Sequence, residues 1–129
     1  MNVILEQKMK YAIQKYGKKE LYLKVDEVLR KWPKDVIEYS IESDIDYYHM
    51  RESLMWKGRI LEEDLVDGYS YISIITPDKL AMNDALLVVI KKDKDIWFGA
   101  YAHEGLIKQN NSRKALNVIL SDLGIEASN

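Results

Sequence analysis

The chain carries two histidines, His49 and His103, and no cysteine. An unperturbed imidazole titrates near neutrality, so these two are the natural candidates for proton transfer. His49 and Glu52 stand at i, i+3 and share one side of the segment if it is helical; His103 is followed directly by Glu104. Two such pairs brought together would resemble a His/carboxylate metal site. Adjacent strand residues point to opposite faces, however, so His103 and Glu104 cannot both ligate without a bend, and the HExxH spacing is absent. Neither a metal nor a cofactor is expected. Thiolate chemistry and disulfides are excluded by composition. The six glycines are scattered at 17, 58, 68, 99, 105 and 124, with no phosphate-cradling loop and no GxSxG elbow. Nothing singles out one pair of carboxylates for glycoside-type chemistry, and a non-catalytic protein is expected.

Binding chemistry is better represented. Residues 1–34 hold nine Lys/Arg and four Asp/Glu, a net of +5; residues 35–67 hold three and ten, a net of −7; the remainder is balanced. The total of −2 thus conceals an internal dipole, and charge distribution governs partners and association rates. The acidic stretch interleaves its carboxylates with Tyr39, Tyr47, Tyr48 and Trp56. Carboxylates steer an encounter with a basic partner, and Tyr and Trp dominate the energetics of interfaces. Asp44, Asp46, Tyr47, Tyr48 and Glu52 are the expected contact residues, with Glu62, Glu63, Asp64 and Asp67 as a second acidic cluster. The competing reading is a solvated acidic face that offsets the basic N-terminal segment within the same fold, or a head-to-tail contact between two copies. Seven of that segment's eight lysines (Lys8, Lys15, Lys18, Lys19, Lys24, Lys31 and Lys34) lie mostly off its apolar stripe, and Arg30 is its single arginine. Arginine is the preferred reader of base edges, so nucleic acid is the weaker expectation.

A second candidate surface lies around Trp97. In an extended Ile96–Glu104 segment, Trp97, Gly99, Tyr101 and His103 share one face, and Phe98, Ala100 and Ala102 the other. With Gly99 leaving a gap between rings, and Tyr69 and Tyr71 joining it, the Trp97, Tyr101, His103 face would stack bases or a flat ligand. Alternatively it is a hydrophobic layer beneath a helix, or Gly99 marks a bulge.

Elements must position these groups. Leu5, Met9, Ala12, Ile13 and Tyr16 repeat at helical spacing with Gly17 as a stop; Leu21, Val25, Val28, Leu29 and Trp32 repeat it before Pro33. The two predict a helical hairpin. Residues 35–41 fit strand or helix equally; 44–56 fits a helix with Ser43 as N-cap and acids in its first turn. Gly58 and the LEEDLVDG run read as a loop. Tyr69–Thr76 reads as a strand, and Thr76-Pro77 as the start of a short helix to Met82. Ala85–Ile90 is an unbroken apolar run expected as an inner strand, hairpinned to Ile96–Ala102 across the polar turn at 91–95. After a loop at 109–112, Ala115, Leu116, Ile119, Leu120 and Leu123 form a last helix ended by Gly124.

The expectation is therefore one α+β domain over residues 1–129. An N-terminal helical hairpin and a C-terminal helix pack on a small antiparallel sheet of three or four strands. The longest apolar run has six residues where a transmembrane helix needs about 20, and no signal peptide is expected, because no apolar run follows the first basic residues. The expected protein is cytoplasmic, bacterial or phage-encoded, and monomeric or homodimeric. It would neutralise a basic partner, such as a nuclease-type toxin, as inhibitors and immunity proteins do. The alternative is a nucleic-acid or small-ligand binder using the aromatic sheet face.

Overall fold

A computed structural model describes residues 1–66, 68–76, 84–103 and 111–125. Five strands form one antiparallel sheet in the order β1-β5-β4-β3-β2: β1 Val36–Glu42, β2 Arg59–Val66, β3 Tyr69–Thr76, β4 Ala85–Lys92 and β5 Asp95–Ala102. Helices α1 Val3–Leu21 and α2 Val25–Arg30 lie on one face; α3 Tyr47–Lys57 and α4 Asn111–Asp122 lie on the other. The α+β class is as expected, but the sheet is larger. Residues 36–42 resolve as strand, and the run expected as a loop after Gly58 is the edge strand β2.

Alternation along the central strands builds both cores. Ile72, Ile74, Leu87, Val89, Phe98 and Ala100 face α3 and α4. Tyr71, Ile75, Leu86, Val88, Ile90 and Tyr101 face α1. The inner strand β4 is buried from Ala85 to Ile90, which is why it reads as a continuous apolar run.

α1 starts at Asn2, whose side chain accepts from the Leu5 amide at 3.0 Å. It buries Leu5, Met9, Ala12 and Ile13. It runs through the expected stop at Gly17 to Leu21, where Tyr22 adopts the left-handed conformation (φ 56°) and closes the helix. Gly17 instead permits close packing, since a Cβ there would meet Val25 Cγ2 at 3.2 Å. α3 begins later than expected, because Asp46 rather than Ser43 is the N-cap and accepts from the His49 amide at 2.8 Å. Ser43 Oγ accepts from the Ile45 amide in the preceding turn (3.2 Å). At the other end of the chain, Gly124 turns α4 off with φ 75°. The helix expected from Pro77 to Met82 lies outside the described residues, as do residues 109–110 of the expected loop, whereas Asn111 and Ser112 already belong to α4.

A β-bulge in β2 decides where its acids point. The pairing with β3 shifts between Ile60 and Glu62, so Leu61 is the extra residue and the alternation is re-phased. Ile60 packs toward α3, Leu61 toward α1, and Glu62 also toward α1. Glu63 then turns to α3.

Candidate functional site

The acidic segment of the sequence divides in the structure into compensated and uncompensated carboxylates. Glu62 accepts from Lys15 Nζ (2.7 Å), Tyr16 Oη (2.9 Å) and Tyr11 Oη (3.1 Å). Burial pushes its carboxyl up, but the hydrogen bonds from Lys15 and the two tyrosines outweigh it and hold the group below the ordinary range. Glu63 accepts from Arg51 Nε (2.9 and 2.7 Å) and Nη2 (2.7 Å), and from the Tyr47 hydroxyl. The Arg51 hydrogen bonds, followed by that of Tyr47, lower its titration. The second acidic cluster is thus internally paired at Glu62 and Glu63, and Asp67 lies outside the described residues.

The same pairing consumes the cations of this region. Arg51 serves Glu63, Lys57 lies 3.7 Å from Asp122, and Arg59 pairs with Glu20. Among the described residues, Glu52 and Asp64 have no hydrogen-bond or ion-pair partner, while Asp46 is engaged through one oxygen in capping. Asp44 and Lys94 meet at 3.2 Å with side chains 86% and 74% exposed, a solvated pair of little energetic weight. The charge left over around α3 is negative.

The tyrosines expected together have different roles. Tyr47 is half-buried, packs against the core beneath α3 and α4 and is held by Glu63; burial, then that hydrogen bond, pushes its phenol up to about 12. Its ring supports Tyr48 edge-on at 5.4 Å and 81°. Tyr48 itself is 75% exposed. Its companions Met55 and Trp56, 51% and 78% exposed, lie outside the expected contact set, although Trp56 is one of the aromatics that interleave the acidic stretch. Tyr48, Glu52, Met55 and Trp56 follow i, i+4, i+7, i+8 and form one outward stripe, opposite the buried Met50 and Leu54. That spacing is the signal that was available. Leu65, 68% exposed at the β2 edge, joins Tyr47, Tyr48, Arg51 and Asp64 around a shallow hollow of about 430 Å³ beside this stripe.

The second expected surface is covered. Trp97 and Tyr101 pack into the α1 core with Tyr69 and Tyr71. The gap at Gly99 is filled by Met9 and Leu5, whose side chains occupy the space a Cβ would need. This face is a layer beneath a helix, and Gly99 is the point of closest helix approach rather than a slot for a ring. His103, beyond the end of β5, is exposed. His49 is exposed on α3. Among the described residues no three His, Asp or Glu side chains converge as a metal would require, and no helix is long and apolar enough to cross a membrane. Comparison with protein-family models, curated proteins and solved structures finds no match to this chain.

Proposed function

We propose that this protein is a non-catalytic, cytoplasmic binding module that neutralises a basic protein partner, in the manner of an inhibitor or immunity protein. The outer face of α3 is the docking surface. The observation that carries this reading is the pairing of Tyr48 and Trp56, two turns apart on one helix and 75% and 78% exposed. Large aromatics are the usual anchors of an interface, and neither ring here contributes to the core. Charge supports the sign of the partner. Arg51, Lys57 and Arg59 are each taken by an acid, which leaves Asp46, Glu52 and Asp64 to face the incoming surface. Asp44 exchanges its lysine for a partner cation at little cost, because the existing pair is solvated.

Affinity capture from the source cells, eluted with a salt gradient, tests the reading. The proposal requires a basic protein in one-to-one ratio that leaves as salt rises. Recovery of nucleic acid alone, or of the bare protein, counts against it.

A further inference from the structure

Away from α3, a cleft of about 440 Å³ opens between the α1–α2 elbow and the end of β5. Its size falls within the range typical of small-molecule sites. Leu23 and Tyr101, 8% and 4% exposed, contribute apolar surface to its lining. Lys24, Lys31, Lys34 and His103 line it as well.

The walls are tied together. Gly17 lets α2 lie close against α1. Val36 pairs with Tyr101 in the β1–β5 ladder. The buried Ser112 hydroxyl donates to the Asp35 carbonyl at 2.7 Å and accepts from the Ala102 amide at 2.8 Å. Two carboxylates lie among the lysines. Glu27 is already held by Lys31 at 2.8 Å, and the hydrogen bond and charge of Lys31 lower its titration. Asp35 is the other. Among the described residues, the Lys24 and Lys34 ammonium groups have no hydrogen-bond or ion-pair partner.

Tyr22 adds an independent observation. It also lines this cleft, the residue is 90% exposed, and its backbone takes φ 56°. A bulky residue is unfavourable there, at a helix-closing position usually given to Gly or Asn. The ring recovers no packing in return. The left-handed backbone closes α1, but a Tyr rather than a Gly at that position gains nothing structural from its side chain, and that choice of residue points to function.

We infer that this cleft binds a small anion that carries a flat aromatic ring, of the nucleoside monophosphate class. A bare inorganic anion would make no use of the apolar lining, and a neutral ring would make none of the lysines. The phosphate sits between Lys24 and Lys34, and the ring lies against Tyr22.

The test is titration with AMP, adenosine and inorganic phosphate, followed by heat of binding and by the amide resonances of Lys24, Lys34 and His103. The inference predicts one saturable AMP site that moves those resonances, tighter than either fragment. Lys24→Gln with Lys34→Gln should weaken AMP at least tenfold and leave adenosine unchanged. Tyr22→Gly should raise the melting temperature while weakening AMP severalfold, an outcome that a purely structural Tyr22 would not give. AMP binding no tighter than adenosine, shifts confined to other regions, or unchanged AMP affinity in the lysine variant would overturn the inference.

Discussion

Glu62 and Glu63 are adjacent in the chain, yet they point through opposite faces of the sheet into basic residues of different helices, Lys15 of α1 and Arg51 of α3. The bulge at Leu61 sets this phase. Because successive strand residues alternate faces, one short acidic run fastens an edge strand to both helical layers, and the bulge decides which acid meets which helix. It also removes two carboxylates from the pool available to a partner.

Acid sensitivity follows from this arrangement. Both carboxyls titrate below their ordinary range in the folded protein. The stability they confer is therefore present above the unfolded value of about 4.3 and is lost as pH falls through the lower folded values. Urea midpoints measured from about pH 5 to about pH 3 should drop more steeply for the native chain than for Glu62→Gln/Glu63→Gln. Equal slopes would show that these contacts are not held in solution. At the alkaline end, burial raises Tyr47 and Tyr71 to about 12, so absorbance titration should show at least two late phenols.

The contact of α1 with β5 makes a packing prediction. Gly99→Ala drives a methyl into Met9 and Leu5, and overpacking of this kind costs about 1–3 kcal/mol. Truncating Met9 to Ala should relieve part of that clash. The double variant should then lose less stability than the two single losses added together. Strict additivity in denaturant unfolding would place Met9 elsewhere.

Charge around α3 should control the rate of partner capture more than stability. Asp46→Asn keeps an N-cap side chain while removing the charge, and Asp44→Lys and Glu52→Lys reverse exposed acids. Together they should slow association with the captured partner by about tenfold or more at low salt and flatten its salt dependence. Each single change should move folding stability by no more than about 0.5 kcal/mol. Stopped-flow association rates at two ionic strengths read this directly; unaltered rates would move the docking surface off α3.

Much of the fold was legible because burial imposes period. α1 and α4 repeat their apolar residues at helical spacing, β3 and β4 are rich in β-branched residues, and β5 combines aromatic and small residues after Ile96. β2 was hidden because it is a charged edge strand. Acids on an edge discourage further pairing, and the same acids make Leu61–Asp64 look like a loop. The bulge leaves no mark in composition. Residues 36–42 carry both periods, and the ladder with β5 decides between them. Of the expected contact residues, Asp44, Asp46, Tyr48 and Glu52 are exposed, whereas Tyr47 lies half-buried under Tyr48 and serves as its support. Met55 carries neither charge nor ring, and Trp56, though one of the aromatics of the acidic stretch, stands apart from the carboxylates of 44–52, so neither belongs to the expected contact set. The Trp97 face fitted both a ligand platform and a layer beneath a helix, because a single strand does not reveal which helix covers it; the second reading is the one α1 fulfils.

The central claim rests on Tyr48 and Trp56. The most direct measurement is quantitative capture of the basic partner by the native chain and by Tyr48→Ala/Trp56→Ala, with folding stability recorded for both. The account predicts a loss of at least about 30-fold in affinity, the scale of a hot spot worth about 2 kcal/mol, with stability reduced by less than about 1 kcal/mol, since both rings are largely exposed. Undiminished capture by the double variant, at equal stability, would contradict it.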